Sequence, residues 1–239
     1  MARLRFLLRG LGAPPLSRES PAKSRSSTEF EVDNWAISEF VIRRLVPAVG
    51  THPFPLHELM LMAAAVCRLE PRQIFDWGTH IGKLARIFFE CTTHYRIETD
   101  IHSTDLPDNV IHAEHPHRER GRLVRGLPGI YLHQGDGLET SLALWREAGR
   151  RPGPLFFLDG DHRYESVLRE LTGIALSVPD AAILVHDAFF QSTESGYNLG
   201  PYRAIGDVLE RFPGRYRRQD SGLGLPGLTL LYPAPSKQT

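Results

Sequence analysis

Residues 74–89 read IFDWGTHIGKLARIFF and predict a strand, a glycine turn and a helix in succession. The apolar start that ends at Asp76 is typical of a buried strand reaching the edge of a sheet. Gly78 and Gly82 then allow a tight turn and a close approach of the backbone to a ligand. A helical pattern begins at Lys83. This unit predicts the first strand–helix element of an α/β fold.

The rest of the chain repeats this alternation of short apolar strands and helices. Further strand patterns cover residues 96–107, 129–136, 154–162 and 181–189, with helical patterns between them. Two last patterns, at 216–222 and 228–233, close the chain as an antiparallel pair. Such alternation predicts an α/β fold with a mostly parallel sheet, a C-terminal antiparallel strand and helices on both faces.

The chain organisation predicts one main domain. Residues 1–28 are basic and rich in Pro and Ser, so we expect a flexible arm; an organellar transit peptide is the alternative. Residues 29–70 carry two helical patterns, and residues 71–239 carry the α/β core. Neither a repeat nor a linker divides residues 29–239.

The composition excludes several classes of partner. The 239 residues are 41% hydrophobic and 23% charged, with a formal net charge of zero, so we expect neither a nucleic-acid nor a membrane partner. Apolar runs stay well short of the roughly 20 residues that span a bilayer. Cys67 and Cys91 lack metal or redox spacing, which favours a reducing, cytoplasmic setting.

The glycine turn differs from the dinucleotide-binding fingerprint. Its pattern is D-x-G-x-x-x-G, whereas that fingerprint is G-x-G-x-x-G, so Asp76 stands where the first glycine would be. A carboxylate there would repel a pyrophosphate, which disfavours a nicotinamide dehydrogenase. It suits a ligand that carries an amino group and no phosphate, such as S-adenosylmethionine (SAM). An ordinary glycine turn remains the alternative.

Two further acids follow strands in the order that a nucleoside site would need. Asp105 comes 29 residues after Asp76 and could accept hydrogen bonds from both ribose hydroxyls, with Asp100 and Asp108 as nearby competitors. Asp136 ends the third strand and could line an adenine pocket. The alternative for each is a loop or helix-cap acid.

A cluster of carboxylates and imidazoles follows the two most apolar strands. Residues 155–164 read LFFLDGDHRY, and ILVHDAF follows in the next strand. The polar residues at these two strand ends are Asp159, Asp161, His162, His186 and Asp187. If the strands are neighbours, these groups converge and could bind Mg²⁺ or a softer divalent ion. The alternative is that they cap the following segments.

The order of these motifs resembles class I SAM-dependent methyltransferases. It is most similar to the subgroup of macrolide-sugar O-methyltransferases and the cephalosporin C7-methoxylation protein, over roughly residues 60–232. The most specific parts are FLDGDHRYESVLREL and LVHDAF. The resemblance implies a Rossmann-like methyltransferase sheet and O-methylation of a hydroxyl on a small molecule, a sugar or other natural product. It also implies a homo-oligomer.

The resemblance also implies roles for individual residues. Cofactor binding falls on Asp76, Gly78, Thr79, Gly82, Asp105 and Asp136. His162 matches the general base. Asp159, His186 and Asp187 match the metal-binding positions, with Mg²⁺ the expected ion. Metal-dependent relatives usually carry an acid or an amide where His186 stands, so a magnesium site here has one hard oxygen fewer.

Two other functions compete with methyl transfer. Residues 100–102, 135–136 and 160–162 imitate the motif order of a metallophosphoesterase, although the final G-H-x-H of such enzymes does not follow. A non-catalytic scaffold with the same fold is the other alternative.

Two loops are candidates for acceptor recognition. Residues 109–122 form a polar segment that could be a lid, with a solvated surface loop as the alternative. Its histidines are His112, His115 and His117. Residues 192–203 carry Tyr197 and Tyr202, whose rings could stack on a sugar or an aromatic acceptor.

Overall fold

The computed structural model describes residues 30–110, 119–194 and 198–235. The expected N-terminal arm, the three histidines of the 109–122 segment and Tyr197 lie outside these residues. None of the described helices is long and apolar enough to cross a membrane.

Seven strands form one sheet in the order β3-β2-β1-β4-β5-β7-β6. The strands are Gln73–Trp77 (β1), Asp100–Asp105 (β2), Ile130–Gln134 (β3), Leu155–Leu158 (β4), Ala182–His186 (β5), Tyr216–Asp220 (β6) and Leu228–Pro233 (β7). The neighbours from β3 to β5 pair in parallel, and β7 runs antiparallel to both β5 and β6. The predicted mostly parallel sheet with a C-terminal antiparallel strand is confirmed.

Helices cover both faces of this sheet. They are Asn34–Phe40 (α1), Val46–Val49 (α2), Leu56–Leu69 (α3), Lys83–Tyr95 (α4), Gly137–Glu147 (α5), Tyr164–Ser177 (α6) and Gly200–Arg211 (α7). A π-helical turn, Val41–Leu45, joins α1 to α2, so the first predicted helical segment is continuous. The helical patterns of the sequence are confirmed.

The adjacent rings of Phe156 and Phe157 explain why the domain has two helical layers. Successive side chains of a strand point to opposite faces, and both rings are fully buried. Phe157 packs against Phe88 of α4, with ring centroids 5.9 Å apart, and Phe156 packs against Phe75 at 5.0 Å on the other face. Each ring contributes roughly 1.5–3 kcal/mol when it is fully buried, so both faces must be covered.

The carboxyl ends of β1, β4 and β5 meet at one edge of the sheet. Leu158 of β4 pairs with Trp77 of β1 on one side and with Val185 of β5 on the other. The chain order reverses between β1 and β4, and ligands of open α/β sheets bind at such a switch point. The strands that precede Asp159 and Asp187 are therefore neighbours, which meets the condition for their polar residues to converge.

Candidate functional site

The glycine turn packs directly against the end of β4. Gly78 has a positive φ of 97°, and a Cβ at this position would lie 2.5 Å from the backbone oxygen of Asp159. Its N–H donates to the Thr104 oxygen at 2.9 Å. Gly78 therefore lets β1 approach both neighbouring strands, which places the turn beside the polar residues that follow β4.

Asp76 lies beneath this turn and is completely buried. It accepts a hydrogen bond from the Ser103 hydroxyl at 2.8 Å, and the hydroxyls of Ser103 and Thr79 are 2.7 Å apart. Burial raises the pKa of Asp76 to about 7 against the opposing hydrogen bond from Ser103, and the charges of Asp159 and Asp105 add to the rise. The carboxyl is thus only partly ionised at neutral pH, which weakens the charge argument that the sequence suggested against a phosphate ligand.

The buried Asp76 predicts a pH-dependent stability. Its folded pKa of about 7 lies above the unfolded value of about 3.9, so its contribution to stability is complete below about pH 4 and is lost as the pH rises through 7. From pH 5 to pH 8 we expect the free energy of unfolding of the wild type to fall by roughly 2–3 kcal/mol relative to Asp76→Asn. Urea denaturation of both proteins at several pH values measures this difference.

The comparison with Asp76→Asn isolates the contribution of Asp76 to the pH dependence of stability. Burial raises the pKa of Glu170 to about 8, so Glu170 adds a similar trend, but it is present in both proteins and cancels. A difference between the two proteins that stays constant from pH 5 to pH 8 would contradict the burial argument.

Asp105 lies at the carboxyl end of β2, beside the glycine turn, as predicted for a ribose ligand. Its carboxylate accepts hydrogen bonds from the backbone N–H groups of His80 at 3.0 Å and Leu106 at 2.8 Å. Arg120 lies 3.3 Å from it and also pairs with Asp108 at 2.8 Å. Asp105 therefore ties the turn after β1 to the segment after residue 119, and its binding of ribose stays a prediction.

Asp136 is the N-cap of α5. It accepts a hydrogen bond from the Glu139 N–H at 3.0 Å and pairs with Arg169 at 2.6 Å. Burial acts to raise the pKa of Asp136, but these two partners outweigh it and the pKa is lowered. The helix-cap alternative is thus realised, and an adenine contact stays a prediction.

His186 lies between two carboxylates in the carboxylate–histidine cluster, which comprises Glu58, Asp159, His162, His186 and Asp187. Its Nδ1 is 2.8 Å from Asp159 and its Nε2 is 3.2 Å from Glu58 of α3. The other oxygen of Glu58 accepts the Gly227 N–H at 2.8 Å, and Glu58 is fully buried. Sequence reasoning missed Glu58, whose one signal is that it is the acid of a largely apolar helix.

These carboxylates set the charge of the imidazole. Burial alone would lower the pKa of His186, but the charge and hydrogen bond of Asp159, the hydrogen bond of Glu58 and the charge of Asp187 raise it to about 10. These contacts favour the protonated form of His186.

His162 pairs with the remaining carboxylate of the cluster. Its Nε2 lies 3.3 Å from Asp187, which also accepts a hydrogen bond from the Asn198 side chain at 2.9 Å. His162 is partly exposed, with 27% of its side-chain surface accessible, whereas Asp187 is buried. A buried carboxylate that holds one nitrogen of a solvent-facing imidazole leaves the other nitrogen able to accept a proton.

Asp161 serves the local structure after β4. Its carboxylate binds the Arg163 guanidinium at 2.8 Å and the Ser166 hydroxyl at 2.7 Å, near the start of α6. These contacts, led by the hydrogen bond from Arg163, hold the pKa of Asp161 well below its usual value. Asp161 is thus a helix-start residue, as the capping alternative proposed.

The three residues predicted to bind a metal are brought together. Asp159, His186 and Asp187 each offer a ligand atom within 4.8 Å of the others. Their binding of a metal stays a prediction, and both nitrogens of His186 already contact carboxylates.

A cavity of about 380 Å³ adjoins the segment that follows Asp187. It is lined by residues such as Phe189, Phe190, Tyr202, Arg218 and Asp220. The rings of Phe190 and Tyr202 have centroids 5.2 Å apart, and the Arg218 guanidinium lies 5.4 Å from the Tyr202 centroid. Tyr202, predicted to contact an acceptor, is therefore in the wall of a cavity with both aromatic and charged groups.

The motif order of a metallophosphoesterase is not assembled in this fold. Asp100 begins β2 at the opposite edge of the sheet, where it pairs with Arg151 at 2.7 Å just before β4. Asp161 follows β4 at the carboxyl edge. One metal site cannot use both residues.

Comparisons with solved structures identify the fold. The SAH-bound methyltransferase PaMTH1 of Podospora anserina is similar, with a TM-score of 0.53, 14% identity and coverage of 84% of this chain and 88% of that chain. The apo structure of CmcI-N160 gives a TM-score of 0.52, 16% identity and coverage of 75% and 72%. No family model and no curated protein matches the sequence. The chain has the Rossmann-like fold of class I SAM-dependent methyltransferases.

Proposed function

We propose that the chain is a SAM-dependent O-methyltransferase that acts on a hydroxyl of a small molecule. The observation that carries the proposal is the pairing of His162 with the buried Asp187 at the carboxyl edge of the sheet. A general base is needed there because an alcohol must lose its proton as its oxygen is methylated. The similarity of the fold to an SAH-bound methyltransferase supports the same assignment.

The chain's own residues would position the hydroxyl and accept its proton. Asp187 holds Nε2 of His162, so Nδ1 is the atom that takes the proton as the new O–CH₃ bond forms. SAM, when bound, supplies a methyl group that the positive charge of the sulfonium already activates. Alignment of the hydroxyl with that methyl group is then the protein's main contribution to the rate.

The residues at the glycine turn suit a ligand with an adenosyl group. Gly78, Thr79 and Gly82 follow β1, and Asp105 ends β2 beside them, where ribose hydroxyls can reach a carboxylate. Asp76, beneath the turn, would fix the shape of the turn. Asp136 would lie towards the adenine ring of the cofactor.

The cavity of about 380 Å³ beside the segment that follows Asp187 suggests the class of substrate. Its aromatic rings can stack on a flat or cyclic molecule, while Arg218 and Asp220 can hydrogen-bond to hydroxyls. A hydroxylated ring compound, such as a sugar or another natural product, has both properties.

Calorimetric titration with SAM, followed by transfer of labelled methyl groups to a panel of hydroxylated sugars and phenols, tests the proposal. Saturable SAM binding with product formation is expected. Absence of SAM binding would favour the non-catalytic scaffold, and two bound metals with phosphoester hydrolysis would favour the phosphoesterase.

Asp105 gives a direct prediction for cofactor binding. Asp105→Asn should weaken SAM binding at least tenfold, because two hydrogen bonds from ribose to a charged acceptor are worth about 1.5–3 kcal/mol each. Calorimetry measures the change. Asp108→Asn is the matched control, since Asp108 shares Arg120 with Asp105 but is largely exposed. Equal effects of the two substitutions would indicate a role for Arg120 alone.

A further inference from the structure

The hydrogen bonds of His186 conflict with a role as a metal ligand. A ligating histidine gives the lone pair of one ring nitrogen to the ion and donates the other N–H to a partner. Here Nδ1 faces Asp159 at 2.8 Å and Nε2 faces Glu58 at 3.2 Å. With both carboxylates ionised they only accept hydrogen bonds, and the two contacts then require a proton on each ring nitrogen.

The surroundings of the ring keep it in this position. Only 5% of the His186 side chain is exposed. The ring of Phe54 lies edge-on to the imidazole, with centroids 4.9 Å apart. Glu58 is held in turn by the Gly227 N–H at 2.8 Å, so its second oxygen is directed at His186. The chain from Gly227 through the buried Glu58 and His186 to the partly exposed Asp159 is thus a continuous network.

The charges of the cluster favour an internal cation. Glu58, Asp159 and Asp187 place three carboxylates around His186, and Glu58 is fully buried. Buried charges are stabilised when they are paired and hydrogen-bonded, and otherwise cost much free energy. A divalent ion could provide this compensation, but the His186 ring already lies between two of the three carboxylates.

We propose that His186, held as an imidazolium between Glu58 and Asp159, takes the place of the divalent cation, so that methyl transfer by this chain requires no metal. The part that concerns catalysis rests on the proposed function. In this role His186 and Glu58 are positioning residues: they fix Asp159 and balance its charge beside the base His162.

Metal titration tests the proposal without any need for activity. The full chain is titrated calorimetrically with Mg²⁺ and with Mn²⁺, and the ring nitrogens of ¹⁵N-labelled protein are observed by NMR. We expect no saturable binding at millimolar ion and a His186 ring protonated at both nitrogens. Saturable binding that Asp159→Asn removes, or one unprotonated nitrogen in His186, would overturn the proposal.

The activity test separates the two proposals. With an accepted substrate, the rate should be the same in EDTA and in added Mg²⁺. A rate that EDTA abolishes and Mg²⁺ restores would overturn the metal-free assignment while leaving methyl transfer intact. If no acceptor is methylated, the proposed function fails, yet titration and NMR still decide the state of His186.

Two variants probe the network. Glu58→Gln should remove the doubly protonated signal of His186 and lower kcat at least tenfold with the KM for SAM unchanged. Glu90→Gln, at an equally buried glutamate paired with Arg44 and Arg86, is the matched control and should leave the His186 signal unaltered. His186→Asp should acquire Mg²⁺ binding, and failure to do so would count against a cation position at His186.

Discussion

His162→Ala is expected to lower the rate of methyl transfer by about two to four orders of magnitude, the range that general bases contribute. The substitution removes the group that takes the hydroxyl proton, while Asp187 keeps its hydrogen bond from Asn198. The proposed cofactor residues lie around the glycine turn after β1, so SAM affinity should change less than twofold. Single-turnover kinetics with labelled SAM, together with calorimetry, measures both quantities.

His133→Ala is the control for this experiment. His133 is a partly buried histidine in the edge strand β3 and contacts His102 at 3.2 Å, away from the ends of β4 and β5. Its loss should leave the rate within a factor of two or three. Wild-type turnover in His162→Ala would exclude His162 as the base, and a parallel loss of SAM binding would point to misfolding.

The largest expected effect on stability follows from Gly78→Ala. An alanine there must adopt a positive φ, which costs roughly 1–2 kcal/mol, and its Cβ would lie 2.5 Å from the Asp159 oxygen. The new Cβ would also force apart the ends of β1 and β4, and such overpacking usually destabilises a protein by about 1–3 kcal/mol more. We expect a total loss of about 2–5 kcal/mol in the free energy of unfolding, measured by urea denaturation.

Gly149→Ala separates the two causes. Gly149 has a φ of 79°, but nothing lies within 4 Å of the position that its Cβ would take. It should therefore show the backbone cost alone, about 1 kcal/mol. If the two substitutions lower the free energy of unfolding equally, the contact between the glycine turn and Asp159 does not limit the size of the residue at position 78.

The fold could be predicted from the sequence because its determinants are local. The strand–helix alternation predicts a mostly parallel sheet with helices on both faces. It also indicated that Asp159 and Asp187 would meet if their strands were neighbours, since residues that follow neighbouring parallel strands share an edge. The described structure confirms each of these expectations.

The partners of the site residues could not be predicted in this way. Glu58 precedes His186 by 128 residues and lies on a helix whose pattern indicates only a buried face. The pairing of Asp105 with Arg120 depends on how a loop packs, and loops carry no periodic signal. The pKa of Asp76 depends on complete burial, a property of the assembled sheet.

Glu58 also changes where the functional unit begins. The described residues before Pro71, from residue 30, form no strand of the sheet, and the sequence predicts helices there that precede an α/β core. A shortened chain that starts at Pro71 would keep all seven strands but leave Nε2 of His186 and the Gly227 N–H without their carboxylate. The smallest module that retains the site must therefore include α3, although a chain without α3 would still contain every strand of the sheet.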